Sequence, residues 1–161
     1  MTIRTRPLRP EDAEACDAII ASLPDFFDIE EGIRACAEAV RTEPGLVAED
    51  EGAVRSFVAF ARRFDASAEI TWMATHADRR RRGLGGALIE ELATILAAEG
   101  RRMLLVFTLS PNDPHDDADG YGSTRRFYGH HGFVPALEIP ELWASSLALL
   151  LVRPLVAVSA G

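Results

Sequence analysis

Between Ala68 and Gly100 the chain changes its periodicity once, and the change is abrupt. Ile70, Trp72 and Ala74 alternate with Glu69, Thr71 and Met73, the period of a strand rich in β-formers. From Ala87 onward, Ala87, Leu88, Leu92, Ile95, Leu96 and Ala97 fall on one face of a helix, and Gly100 supplies its stop. Between the two lie four consecutive arginines, Arg79 to Arg82, followed by Gly83, Leu84, Gly85 and Gly86. The stretch therefore predicts a strand, a tight basic turn and a helix, with the chemistry at the turn.

Helix geometry says which chemistry. The first N–H groups of a helix have no internal acceptor, and the helix dipole places partial positive charge beside them. Glycine carries no Cβ, so an anion can approach those amides closely. Guanidinium groups next to the same turn add full charge. The chain as a whole has a formal charge of −8, so a basic cluster this local asks for an anionic ligand, most simply a phosphate. An arginine run alone is usually a solvated surface; arginines joined to glycines at a strand-to-helix junction favour the phosphate.

The rest of the composition sets the frame. A length of 161 residues, 48% hydrophobic and 26% charged, predicts one soluble globular domain over residues 1–161 with a substantial core. The acidic balance argues against general nucleic-acid binding. Cys16 and Cys36 lack metal-ligand spacing and read as small core residues of a reduced, cytoplasmic protein. The start of the chain shows no apolar signal region. The apolar tail from Leu142 to Val158 is interrupted by Arg153-Pro154, which favours a buried strand over a membrane span.

In chain order, residues 2–7 read as a strand, and Pro10-Glu11-Asp12 opens a helix running to about Ser22, with Ala15, Ile19 and Ile20 inward. A loop, Leu23 to Asp28, precedes a second helix over 29–41. Leu46–Glu49 and Val54–Arg62 predict a hairpin around Asp50-Glu51-Gly52. Arg102 to Leu109 is apolar enough for a strand covered on both faces. The polar segment 110–122 holds Asp113, His115, Asp116, Asp117 and Asp119, but not in calcium-loop spacing, and no metal is expected there. It reads as a mobile lid or a solvated loop, with His130 and His131 capping the helix that follows.

A dinucleotide fingerprint would need G-x-G-x-x-G near the first strand, and a P-loop would need G-x-x-x-x-G-K-[ST]; the chain has neither. Arg80-x-x-Gly83-x-Gly85 instead resembles the R/Q-x-x-G-x-G/A loop of the GNAT superfamily, the GCN5-related N-acetyltransferases. A second segment, Ser123-Thr124-Arg125-Arg126-Phe127-Tyr128-Gly129-His130-His131-Gly132-Phe133, resembles that family's late F-Y-x-x-x-G-F helix–strand entry. The family's usual asparagine near the start of this helix is absent. The resemblance spans the chain in element order, β-α-α-β-β-β-α-β-α-β-β. It implies a mixed α/β fold: a central, mostly antiparallel, splayed sheet flanked by helices on both faces.

It also implies a cofactor, acetyl-CoA, and roles for particular residues. Arg80, Arg81, Arg82, Gly83, Leu84, Gly85 and Gly86 would hold the pyrophosphate. The backbone of Met73, Ala74 and Thr75 would pair with the pantetheine arm, and Ser123 and Arg126 would flank the cofactor. Tyr128 would act as general acid toward the departing thiolate; the residues alone equally allow a packing aromatic. Thiol and phenol pKa values of ~8.5 and ~10 are close enough for that transfer. An amine acceptor of pKa ~10.4 costs about 4.6 kcal/mol to deprotonate at pH 7, so a base is worth seeking. Glu69, beside apolar Ile70, Trp72 and Met73, is the candidate, since desolvation there would raise its pKa; the alternative is a strand-edge glutamate facing water. Phe26, Phe27, Asp28, Glu30, Glu138 and Trp143 are candidate acceptor contacts, because aromatics with carboxylates suit a cationic amine.

The expected activity is acetyl transfer from acetyl-CoA to a primary amine by direct attack in a ternary complex, with no nucleic-acid or membrane partner and a homodimer as the implied oligomer. An acyl-CoA-binding sensor without efficient transfer is the alternative, and a nucleotide-binding protein a third.

Overall fold

The computed structural model describes residues 2–156. Its contacts divide the chain into two compact units, Met1–Ala61 with Ile70–Ile95, and Arg62–Glu69 with Leu96–Gly161. Among the described residues, seven strands and four α-helices follow in the expected order. They are β1 (Ile3–Pro7), α1 (Ala13–Ala21), α2 (Glu30–Thr42), β2 (Gly45–Asp50), β3 (Ala53–Arg62), β4 (Ser67–Thr75), α3 (Leu84–Ala98), β5 (Met103–Leu109), α4 (Tyr121–His130), β6 (Val134–Trp143) and β7 (Ser146–Pro154). Among the described residues no helix is long and apolar enough to cross a membrane.

In the first unit the strands order β1-β2-β3-β4, and β1–β2 and β2–β3 are antiparallel. Glu51 and Gly52, at φ 54 and 79, make the tight turn between β2 and β3, with left-handed backbone at both positions as a type I′ hairpin needs. Cys16, Ile19, Ile20 and Leu23 of the α1 region pack with Cys36, Val40, Val47, Phe57 and Ala74 into one apolar cluster. Both cysteines are fully buried and free, as core residues. Cys16 and not Ala15 faces the core, because it lies three positions before Ile19 on the same helix face. Arg6 anchors the start of α1: its guanidinium donates to both Asp12 oxygens at 2.8 and 2.9 Å and to Glu49 at 2.8 Å.

In the second unit the order is β5-β7-β6, antiparallel throughout. Ala148, Leu149 and Leu151 of β7 are buried, so the apolar tail is a partly covered strand from Ser146 to Pro154; Leu142 and Trp143 lie instead on exposed β6, and Ala157 and Val158 lie outside the described residues. Strand β6 is exposed along almost its whole length, with Pro135 and Pro140 removing two ladder donors.

One boundary differs from the sequence expectation. Helix α3 begins at Leu84 rather than Ala87, because Leu84, Leu88, Leu92 and Leu96 form one fully buried stripe at intervals of four. Gly85 and Gly86 are thus inside the first helical turn. Segment 110–120 is mostly exposed, as a solvated loop would be, but it is anchored at Asp113. Asp113 is buried, its carboxylate accepting the Leu147 N–H at 2.6 Å and the His115 N–H at 2.7 Å, and Arg125 pairs with Asp116 at 2.9 Å.

Candidate active site

The basic turn owes its shape to two left-handed residues. Arg80 is extended (φ −69, ψ 151), Arg81 turns to φ 65 and Gly83 to φ 88. For Gly83 the requirement is conformational and not spatial: an added Cβ would meet only Ile3 Cδ1, at an ordinary 3.7 Å. Arg81 adopts the same region despite its side chain, which costs roughly 1–2 kcal/mol. The Gly83 carbonyl accepts the Ala87 N–H at 3.0 Å, which makes Gly83 the N-cap of α3. The N–H groups of Leu84, Gly85 and Gly86 then have no acceptor inside the helix. Left-handed backbone opening onto such amides is a concave nest for an anion. Arg81 and Arg82 are exposed beside it.

The four arginines do not act alike. Arg80 places its guanidinium carbon 5.3 Å from the centre of the Phe26 ring, so a predicted cofactor residue meets a predicted acceptor residue. Arg79 is drawn away altogether, its Nε 3.2 Å from buried Asp50. That pair had no signal in the sequence, where Asp50 looked like a turn residue.

Of the acceptor candidates in the same unit, Phe26 and Phe27 pack on the apolar cluster, while Asp28 and Glu30 do not. Phe27 lies 6.1 Å from Trp72, ring centre to ring centre, and both cover the apolar cluster. A cavity of about 310 Å³ beside them is lined by Asp17, Ile20, Ala21, Pro24, Phe27 and Ile33. Trp72 was read only as a strand residue. Asp28 is exposed, and Glu30 pairs with Arg34 across one helical turn on the open surface. At the end of β4, Ser56 Oγ donates to the Ala74 carbonyl at 3.0 Å and lies 2.7 Å from Thr75 Oγ1, holding two of the predicted pantetheine positions from β3. Met73 is half-buried between them and Trp72.

In the second unit, Glu69 is half-buried and ion-paired, its Oε1 accepting from Arg63 Nε at 3.0 Å. It is not the lone carboxylate among apolar neighbours that the alternation suggested; Arg63 lies in the turn before β4. Tyr128 is buried on α4, its ring edge-on to Phe127 and Phe133 at 5.2 Å each. Burial pushes its phenol well above the ordinary range, because the phenolate would lose its water. Ser123 is half-buried one turn earlier, and Arg126 donates to the Ala118 carbonyl at 3.2 Å. Glu138 accepts from Asn112 Nδ2 at 2.6 Å, and Trp143 ends β6 with 38% of its surface exposed.

Residues 41–135, well over half the chain, match the acetyltransferase (GNAT) domain family. The chain belongs to the GNAT acetyltransferase family. No curated protein matches it. Several solved GNAT-type structures share the fold. One is a protein assigned to the GNAT acetyltransferases of Desulfovibrio desulfuricans, 20% identical, with a TM-score of 0.81 over 96% of this chain and 100% of that one. Another is the ribosomal-protein-S18-alanine N-acetyltransferase of Escherichia coli, 18% identical, TM-score 0.75, covering 99% and 98%. A third is the acetyltransferase-like YncA of Salmonella typhimurium, solved with its cofactor acetyl-CoA, 19% identical, TM-score 0.69, covering 100% and 98%. At these identities the likeness establishes the GNAT fold; the acetyltransferase family rests on the domain match.

Proposed function

We propose that this GNAT protein transfers the acetyl group of acetyl-CoA to a primary amine by direct attack in a ternary complex. The observation that carries the reading is the bend at Arg81 and Gly83, which caps α3 and leaves its first three amides without an acceptor inside the helix, next in the chain to exposed Arg81 and Arg82. A coenzyme A diphosphate suits that nest in charge and size. The acetyl-CoA held by the Salmonella structure supports the same cofactor here. Arg80, Arg81, Arg82 and the amides of residues 84–86 would take the diphosphate. The backbone of Met73, Ala74 and Thr75 would take the pantetheine amides, with Ser123 and Arg126 flanking.

Glu69, directly or through one water, accepts the proton of the amine. The nitrogen bonds to the thioester carbon, the carbon–sulfur bond breaks as Tyr128 gives its proton to the leaving sulfur, and the phenolate so formed takes back the second proton of the amide nitrogen. Burial lifts the Tyr128 phenol away from the thiol range, which makes it a weaker acid toward the leaving sulfur than an exposed phenol. Phe26, Phe27, Asp28, Glu30, Glu138 and Trp143 would contact the acceptor. We read the chain as one domain acting in the cytoplasm.

Two observations favour a second reading, a CoA-binding sensor with little transfer: Glu69 is already paired with Arg63, and Tyr128 is buried edge-on against two rings. A thiol-release assay over a broad panel of primary amines separates the two. The transferase reading expects release with some amine, and a fall of ~10²–10⁴-fold in Glu69→Gln and Tyr128→Phe with acetyl-CoA affinity nearly intact. Undiminished turnover in either variant removes that residue from the mechanism. Acetyl-CoA binding without release on any amine leaves the sensor.

A further inference from the structure

Arg79 opens the arginine run but is spent on an internal contact. Besides Asp50 at 3.2 Å, its nitrogens lie 3.4 Å from Asp78 and 3.7 Å from Glu51. Asp50 ends β2, is 1% exposed, and neither of its carboxylate oxygens takes a well-formed hydrogen bond. A buried carboxylate in that state is costly and persists only where a cation neutralises it.

The same hairpin grips the neighbouring backbone. Ala48 faces Ser56 while Glu49 faces Val54, so Arg55 is an extra residue in β3, a bulge. The bulge turns the Arg55 carbonyl to the His76 N–H, 2.8 Å away. From the end of α1, Ser22 Oγ accepts the Ala77 N–H at 3.1 Å. The short 3₁₀ turn Ala77–Arg79, which leads from β4 into the arginine bend, is therefore held at three points. Two of them belong to the β2–β3 hairpin.

The geometry points to Asp50 as a positioning residue for the cofactor: through Arg79 it fixes how the chain enters the anion nest, without touching the ligand. The inference rests on the nest holding a coenzyme A diphosphate. A left-handed arginine is a strained conformation, and strain of this kind persists only when the surrounding structure over-determines it. The anchored turn two residues upstream supplies that constraint.

The charges make the test a matter of sign. By Coulomb attraction alone, removing a carboxylate close to the nest helps an anion bind, so Asp50→Asn would tighten coenzyme A. A positioning role demands the opposite, a loss of about tenfold, the size of coupling seen between contacting neighbours. Calorimetry reads it with two probes, coenzyme A and 3′-phosphoadenosine 5′-diphosphate, which keeps the diphosphate and lacks pantetheine. Both should weaken by the same factor. Because a half-buried arginine without its buried partner can unfold a chain, the double variant Asp50→Asn/Arg79→Gln, unchanged in net charge, is titrated alongside and should show the same loss. Equal or tighter binding by folded Asp50→Asn, or wild-type affinity in the double variant, overturns the positioning role and leaves the cofactor site standing. Absence of binding by the wild-type protein would overturn the cofactor reading, and this inference with it.

Discussion

Gly83 and Arg81 share a backbone region, yet substitution should move them in opposite directions. Gly83→Ala meets no steric obstacle beyond Ile3 at 3.7 Å, so its cost is the left-handed conformation itself, about 1–2 kcal/mol in a urea melt. Arg81→Gly relieves that same strain. After the entropy a glycine restores to the unfolded chain, a gain of roughly 0.5 kcal/mol remains. It also removes a cation from the nest, so coenzyme A affinity should fall while stability rises. A stable Gly83→Ala protein, or an Arg81→Gly protein that loses stability, contradicts the assigned backbone. The spacing Arg80-x-x-Gly83-x-Gly85 made this turn legible in the sequence, because glycine at a strand-to-helix junction has few other uses. The fate of each arginine was not legible. Arg79 and Arg80 are claimed by Asp50 and Phe26, residues distant in sequence whose proximity only the folded chain creates.

Elements were read from periodicity, and where the apolar period was clean the reading held: β4, β5, the β2–β3 hairpin and both early helices lie within a few residues of expectation. It slipped at α3, where Gly85 and Gly86 look like turn residues but sit in the first helical turn. At 110–120 most side chains are exposed, as the acidic composition suggested, but Asp113 serves as a buried acceptor for two backbone N–H groups. Side-chain-to-backbone bonding of that kind leaves no periodic trace. Gly45, at the start of β2, shows an element's dependence on close approach. A Cβ there would lie 2.6 Å from the Val58 carbonyl and 2.8 Å from Leu8, so Gly45→Ala must part β2 from its neighbours, at a cost of about 2 kcal/mol or more. Gly32 in α2 has open space around it, and Gly32→Ala should instead add about 0.5–1 kcal/mol of helix stability. Thermal melts of the two variants should move in opposite directions; a shared direction would refute the packing assigned to β2.

For the molecule as a whole, alkaline pH is the direct probe of the core. Burial pushes the Cys16 and Cys36 thiols up to about 12, well above the ordinary thiol value, and lifts Tyr128 further. Groups whose pKa is higher folded than unfolded hold their protons longer in the native state. Their contribution is intact below the unfolded thiol pKa and is lost as pH rises through the folded one. Stability to urea should therefore be level up to about pH 9 and fall progressively toward pH 12, and Cys16→Ala should make the fall shallower. A flat profile would place the thiols in solvent. The account as a whole depends on the three amides at the start of α3 and the guanidinium groups beside them gripping a diphosphate. Titration calorimetry of acetyl-CoA into the intact protein tests that directly. It should show one-to-one binding with a dissociation constant of about 1–100 μM, weakened at least tenfold in Arg81→Gly. No heat at millimolar acetyl-CoA, or affinity indifferent to Arg81, would contradict it.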